Sequence, residues 1–349
     1  MCRPSRLLLI SIAAFGALAF AMRYLSRPDS VVRHRGAAWD TVSFQKHRKR
    51  VADDTDTIAV AHLAQKRAHE PQPPSRLWTE YLTPVKDQST CGSCWAFAAT
   101  AQIESDALRE LYTHDADLWK LPRLSPLNVM MGSLSGFKDG TGCDGGAPTH
   151  GFDFVAKHGI LTESRAPYFT KMDRTAKGPD FDMNVFKRWQ TTRLPGLASQ
   201  EPQAGAILKI ANYTHICEHE SDFNCEDWEA TEREMVQHVQ HVGPVVAFIV
   251  TQDDQTGFSL QDAKLNLNDT ILAKVSSAST PTDHVIQIVG IDQQHSPPRW
   301  VVRNSWGPEW GIQPEGASTR GFFYVEAFTN ALNIAHWGAF YSNGASLLI

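Results

Sequence analysis

The chain carries no surplus of positive charge. Its 33 Lys and Arg are outnumbered by 38 Asp and Glu, for a formal net charge of −5 over 349 residues. Nucleic acid is therefore not an expected partner, because a polyanion is held by a basic patch or stripe. Metal-ligand spacing is missing as well. The 14 histidines are scattered, and neither an H-E-x-x-H pattern nor a ligand-spaced His/Cys cluster occurs, so no metal or other cofactor is expected to serve the chemistry. No internal repeat or low-complexity tract stands out. Cysteine is scarce, with 6 residues. The apolar run Leu7–Met22 is shorter than the roughly 20 residues that a bilayer span requires. What remains is an average composition, 42% apolar, long enough to bury a sizeable core in one or two domains.

The N-terminus reads as a targeting segment. Arg3 and Arg6 precede the apolar run, and Ala19-Phe20-Ala21 offers a small-x-small cleavage site, so residues 1–22 are expected to be a signal peptide. The other reading is an uncleaved signal anchor, the one case in which a membrane becomes a partner. Either way the rest of the chain lies on the lumenal or extracellular side. Two sequons, Asn212-Tyr213-Thr214 and Asn268-Asp269-Thr270, agree with that topology. Residues 23–73 are polar, carry the basic runs Lys46-His47-Arg48-Lys49-Arg50 and Lys66-Arg67, and lead into Pro71-Gln72-Pro73-Pro74, a stiff stretch suited to a linker.

The segment richest in chemistry is Gln88-Ser89-Thr90-Cys91-Gly92-Ser93-Cys94-Trp95-Ala96-Phe97. A cysteine opening a helix faces backbone N–H groups and the positive end of the macrodipole, both of which favour a thiolate, the nucleophilic form. A glutamine six positions earlier supplies an amide able to donate to a carbonyl oxygen that turns negative under attack. The same letters also spell C-x-x-C. A thioredoxin-like dithiol, a structural disulfide and half of a zinc site are all open readings of those four residues.

Two distant segments add partners. His284 opens the apolar run of Thr282-Asp283-His284-Val285-Ile286-Gln287-Ile288-Val289-Gly290, and Asn304 closes that of Val301-Val302-Arg303-Asn304-Ser305-Trp306-Gly307; both runs read as buried strands. A histidine at a strand edge can take a thiol proton and return it to a leaving amine. An asparagine carbonyl can fix the ring without adding charge, and Trp306 can shield that bond from water. A dithiol enzyme needs neither partner.

With these segments the chain resembles the papain family of cysteine peptidases, which includes the lysosomal cathepsins. The likeness runs from about Pro74 to the C-terminus and also takes in Leu124-Ser125-Pro126, Gly142-Cys143-Asp144-Gly145-Gly146 and Gly243-Pro244-Val245. It implies an α+β fold of two lobes, one helical and one β-barrel-like, with the active-site cleft between them. It implies Cys94 as nucleophile, His284 as acid/base, Asn304 as ring orienter, and Gln88 with the Cys94 backbone N–H as oxyanion donors. Cys91 would be a half-cystine paired with Cys143. With Cys2 in the targeting segment and Cys94 as nucleophile, Cys217 and Cys225 are left to form a second bridge. The implied reaction is peptide hydrolysis through a thioester, with proteins or peptides as substrates. Residues 23–73 would be a short propeptide that inhibits its own enzyme, and 74–349 the peptidase domain, helical over about 74–186 and β-rich over 187–349. The implied setting is the secretory pathway, ending in the lysosome or outside the cell.

Local patterns agree with this division. An alanine-rich helix is expected from Cys94 to about Leu111, a second from Ser125-Pro126 and a third from Ala147 to His158, ended by Gly159. A fourth is expected over about Trp228–Val242. Strands are expected at Val245–Thr251, Val285–Ile291, Arg299–Arg303 and Gly321–Val325.

The chain also departs from the family. The span from Cys94 to His284 exceeds the roughly 130–150 residues usual for papain-like enzymes. The excess is placed in about Lys187–Asp227 and Gln252–Thr280, with a further insertion at Gln313–Arg320; such insertions form surface loops or, in some exopeptidases, close one end of the cleft. Two of the family's disulfides are missing, with Met131 and Leu332 where cysteines are usual. The resemblance places Gly145 and Gly146 on the substrate-facing loop, where glycine lets a peptide backbone come close. Ala147, Pro148, Phe248 and Thr282 would wall the pocket for the second residue before the scissile bond. Trp337 would floor it, leaving a shallow apolar space that disfavours Phe or Arg; a shift of register would put Trp337 in the core instead.

Overall fold

The computed structural model describes residues 75–111, 121–134, 142–168, 170–171, 180–181, 202–217, 220–221, 224–263, 270–271 and 280–348. The segment expected to be a signal peptide, 1–22, the one expected to be a propeptide, 23–73, with its basic runs, Pro74 and the sequon residue Asn268 lie outside them. No helix among the described residues is long and apolar enough to cross a membrane.

Four helices are formed where capping and periodicity expect them: α1 (Cys94–Leu111), α2 (Pro126–Leu134), α3 (Pro148–His158) and α4 (Trp228–His241). Ser125 caps α2 by accepting the Asn128 N–H at 3.0 Å, with Pro126 at the first turn. Asp227 caps α4 through Ala230 N at 2.8 Å. Along α1 every residue from Cys94 to Leu108 is buried. A helix dry on all sides belongs at the centre of a domain, and α1 packs against α2 and α3 on one side and the sheet on the other.

The main sheet has seven antiparallel strands: β1 (Ser75–Leu77), β2 (Asn212–Ile216), β3 (Val245–Ile249), β4 (His284–Asp292), β5 (Arg299–Arg303), β6 (Phe322–Glu326) and β7 (Ala339–Asn343). Their order is β6-β5-β4-β3-β7-β2, with β1 paired to the far end of β4. Among the described residues the sheet is open rather than a closed barrel. The outer edge of β6 is met by single bridges from Ile271 and Ile312 instead of by β2, which covers an edge without closing the sheet.

Both faces of the sheet are dry. Val246 and Phe248 join the helical core, whereas Val245, Ala247 and Ile249 join a second core on the opposite face with Met235 and Val239 of α4. Strict alternation with apolar residues at every step explains why β3 reads as the unbroken run Val-Val-Ala-Phe-Ile.

The helical half and the sheet do not separate at one point of the sequence. The first described strand, β1, belongs to the sheet, with Ser75 Oγ donating to Asp292 Oδ1 at 3.0 Å. Near the other end, Ser346–Leu347 pair with Leu208–Lys209, and Leu208 in turn bridges Ile160 just after α3.

The interface between α1 and the sheet is polar and fully buried. Glu104 receives Lys86 Nζ at 2.5 Å, Thr83 Oγ1 at 2.5 Å and the Leu124 N–H at 2.7 Å. Burial alone would raise its carboxyl pKa, but the Lys86 ammonium, the Thr83 hydroxyl and the Arg303 charge outweigh that and hold it below the ordinary range. Arg303 donates to Gln287 Oε1 at 3.2 Å and to the Thr83 carbonyl at 2.7 Å. Gln287 passes the chain of bonds to Gln102 and Ser105, both at 3.1 Å, and Gln102 donates to Asp106 at 3.0 Å. Buried polar groups satisfied this fully fix one relative placement of the elements that carry them.

Candidate active site

Cys94 is the first residue of α1 and His284 the first residue of β4, and these two elements pack on each other. Both side chains are buried, at 0% and 1% exposure. Cys94 stands outside both disulfides and keeps its thiol. Cys91 is bonded to Cys143, so the two cysteines of the C-x-x-C do not form a dithiol pair.

The histidine ring is held from one side by chemistry that defines its tautomer. His284 Nε2 lies 2.8 Å from Asn304 Oδ1. The same oxygen accepts the Ser305 N–H at 2.8 Å, which identifies it as the carbonyl end of the amide. A carbonyl oxygen only accepts, so Nε2 carries the proton. Nδ1 is then the ring nitrogen able to take up a further proton. The Trp306 ring covers the pair at 4.9 Å between centroids, backed edge-on by Trp310 at 5.0 Å. Upstream of the histidine, Asp283 accepts Thr251 N at 2.7 Å and Thr251 Oγ1 at 2.8 Å, which ties the approach to β4 to the end of β3.

Gln88 is fully buried and bonded at every polar atom that could let it turn. Its Nε2 donates to the Cys91 carbonyl at 2.9 Å, and its Oε1 accepts Ser305 Oγ at 2.6 Å. An amide nitrogen has two hydrogens, so one bond to Cys91 leaves the second for an incoming oxygen. The backbone around it is stitched to the segment after Asn304: Gln88 N donates to Ser305 O at 2.8 Å and Gly307 N to Lys86 O at 3.2 Å. Tyr168 adds a brace the sequence reading missed. Its hydroxyl donates to the Gln88 carbonyl at 2.9 Å, so Ser93 Oγ is the donor in the 2.9 Å bond between Ser93 and Tyr168. Ser305 was missed too, although it stands inside the quoted Asn-Ser-Trp-Gly motif.

The residues assigned to substrate contact divide into three groups. Gly145 and Gly146 lead into α3, as expected. The reason for glycine at 146, however, lies inside the protein: a Cβ there would come within 2.6 Å of the Trp95 indole. Ala147, Phe248 and Trp337 share one apolar region, with Ala147 and Phe248 in the helical core, Trp337 half-buried against it, and 6.4 Å between the Phe248 and Trp337 rings. Pro148 is buried at the first turn of α3. Thr282 is half-buried two residues before His284 and stands outside that apolar cluster.

Cys217 and Cys225 are bonded to each other. With His215 they bring three potential ligand atoms within 4.8 Å, but a disulfide withholds the thiolates that a metal ion would bind. The bridge closes the small hairpin Glu220–Ser221/Asn224–Cys225. Part of the region assigned to insertion is thus integral to the fold, because Asn212–Ile216 immediately before it is β2 of the main sheet.

Comparisons with known proteins bear on the family and the fold. The family model described as papain family cysteine protease matches residues 73–336. Pro-cathepsin H of Bos taurus is 29% identical over 282 residues, covering 78% of this chain and 66% of the relative. Cysteine proteinase 2 of Dictyostelium discoideum is 29% identical over 250 residues, covering 66% of this chain and 58% of the relative. The chain thus spans 58–66% of the length of these relatives. The solved structure of the digestive procathepsin L2 proteinase from Tenebrio molitor larval midgut superposes with a TM-score of 0.52 at 23% identity. It covers 79% of this chain and 70% of that one, and the likeness extends to the fold. The chain belongs to the papain family of cysteine proteases.

Proposed function

We propose that this chain is a peptidase that cleaves peptide bonds through a thioester, with Cys94 as nucleophile and His284 as acid/base. The single observation that carries the proposal is the 2.8 Å bond from His284 Nε2 to Asn304 Oδ1, which supports Nδ1 as the nitrogen that moves the proton. The Cys94 thiol gives its proton to His284 Nδ1, the sulfur attacks the carbonyl carbon, and the carbonyl oxygen takes up the charge. The Gln88 side chain and the Cys94 backbone N–H receive that charge. His284 gives its proton to the departing amine as the C–N bond breaks. It then draws a proton from water, whose oxygen attacks the thioester and releases the acid and the thiol. Asn304 keeps the ring in register, and Trp306 keeps water from the bond between them.

Substrates are proteins or peptides, seated along Gly145 and Gly146 with Ala147, Pro148, Phe248, Thr282 and Trp337 around the second residue before the cut. Residues 1–22 direct the chain into the secretory pathway. Residues 23–73 act as its inhibitory propeptide, and residues 74–349 form the peptidase, working in the lysosome or outside the cell.

The test is labelling of the processed protein with a peptidyl epoxide, followed by cleavage of a peptide library with blocked and unblocked N-termini. Labelling is expected at Cys94 and is expected to vanish in Cys94→Ser. Cutting inside blocked peptides identifies an endopeptidase, and cutting confined to unblocked ones an aminopeptidase. Labelling that survives Cys94→Ser, or labelling with no cleavage of either set, overturns the proposal.

A further inference from the structure

The hairpin closed by Cys217–Cys225 grips the segment that carries Trp337. His215, on β2, lies with Nε2 2.8 Å from the Trp337 carbonyl oxygen. That oxygen only accepts, so the ring N–H is the donor. At the other end of the hairpin the Cys225 N–H donates to the His336 carbonyl at 3.0 Å. Just after the two bonded carbonyls Gly338 adopts φ +63°, and a Cβ there would collide with the Ile216 carbonyl oxygen and meet His215 Nε2 at 2.8 Å and Cys225 Sγ at 3.1 Å. Only glycine lets the chain turn this close beneath the disulfide. Three consecutive residues, 336 to 338, are therefore held from β2 and the hairpin.

The grip extends into the pocket wall. Phe340 stands opposite His215 in the β7–β2 register, and their rings stack at 4.2 Å. Phe340 meets Phe248 edge-on at 6.4 Å, and Phe248 lies 6.4 Å from Trp337. His215 thus touches both the backbone of Trp337 and the aromatic layer behind the pocket.

The geometry points to His215 and the disulfide-closed hairpin as positioning elements for substrate selection. They fix the backbone that carries Trp337, so that its ring, packed against the Phe248 layer, walls a pocket that accepts a small apolar side chain such as Ala or Val at the second residue before the scissile bond and rejects Phe. This rests on the reading of Cys94 as nucleophile and of Trp337 as pocket wall. With its backbone held and its ring packed against the Phe248 layer, the indole has less freedom to give way to a larger guest, and discrimination by shape in an apolar pocket is worth about 10–200-fold.

The experiment measures kcat/KM on fluorogenic dipeptides with Ala, Val or Phe at that position, in blocked and unblocked forms. Enzyme concentration is set by epoxide titration, so misfolded protein is not counted. The processed wild type is expected to prefer Ala over Phe by about 10-fold or more. Trp337→Ala is expected to abolish the preference, mainly through KM for the Phe substrate. His215→Phe keeps the stack on Phe340 but lacks the donor, and is expected to cut the ratio by about 3–10-fold. The double variant Cys217→Ser, Cys225→Ser is expected to do the same. His215→Gln restores an N–H near the same place and is expected to return the ratio toward wild type.

An unchanged ratio in both His215→Phe and the double serine variant overturns the inference, as does an unchanged ratio in Trp337→Ala. Absence of epoxide labelling in the wild type is a different failure. It removes the nucleophile assignment and this inference with it.

Discussion

Ser305 Oγ donates to Gln88 Oε1 at 2.6 Å, across 217 positions of sequence. The Cys91 carbonyl, which only accepts, fixes which end of the Gln88 amide faces it, and the Ser305 bond holds the other end of that amide in place. Under the proposed mechanism, Gln88→Ala is expected to lower kcat by about 10²–10³-fold, the usual effect of losing one oxyanion donor. Ser305→Ala leaves the donor but removes its anchor and is expected to lose about 10-fold. KM is expected to stay within about threefold in both. Steady-state kinetics on one peptide substrate checks the order; Ser305→Ala matching wild type would sink the anchoring role.

Asn304 is the group that holds the proposed acid/base. Asn304→Ala leaves His284 Nε2 without its acceptor and leaves the Ser305 N–H unsatisfied. A drop of about 10–100-fold in kcat is expected, part of the 10²–10⁴ that acid–base catalysis contributes. Epoxide labelling of Cys94 is expected to slow as well, because ionising the thiol requires the imidazole to be in place. Equal labelling rates in wild type and variant would separate Asn304 from the chemistry.

The buried ion pair between Lys86 and Glu104, 2.5 Å apart and 6% and 0% exposed, gives a stability prediction. Glu104→Gln strands an ammonium in the interior and also weakens the bonds from Thr83 and the Leu124 N–H. Removing one partner of such a pair typically destabilises by about 3–5 kcal/mol. Urea unfolding of the processed protein is expected to show that loss. A change below about 1 kcal/mol would mean that the interior relaxes to accommodate the lone charge.

Asp106 provides a pH test. Burial, opposed by Arg109 and the Ser342 hydroxyl, raises its pKa to about 6, above an unfolded value near 3.9. The folded state therefore holds a proton that the unfolded state has released between about pH 4 and 6. The contribution of this group falls as pH rises through that window. His238, pushed down to about 3 by burial and by the same Arg109, acts in the opposite sense, stabilising the fold above about pH 6.5 and less so as pH falls. Because the two oppose each other, the informative quantity is a difference. The stability of Asp106→Asn relative to wild type is expected to rise by on the order of 2 kcal/mol between pH 4.5 and 6.5. A flat difference would mean that Asp106 is ionised throughout.

Much of the fold was legible because its signals are local. Ser125-Pro126 announces α2, the alanine run gives α1, and apolar runs give β3, β4, β5 and β6. β2 and β7 were not read. Asn212-Tyr213-Thr214-His215-Ile216 has too few apolar residues to look like a sheet strand, and it is one because Tyr213 and Ile216 insert into cores on opposite faces. In the site, residue types carried the reading at Cys94, His284, Asn304 and Gln88. The contacts of Ser305 and Tyr168 with Gln88 depend on tertiary approach, which no local pattern records. Gly146 shows the limit from the other side: the sequence singled it out for substrate approach, whereas the contact a side chain there would meet is the Trp95 indole.

The opening strand Ser75–Leu77 sits in the sheet, while Ser346–Leu347 rests beside Leu208–Lys209 on the helical side. Each of these two segments is thus fastened in the territory of the opposite half, like a pair of clasped hands. A nick in an exposed connection between them is expected to leave fragments that still hold each other.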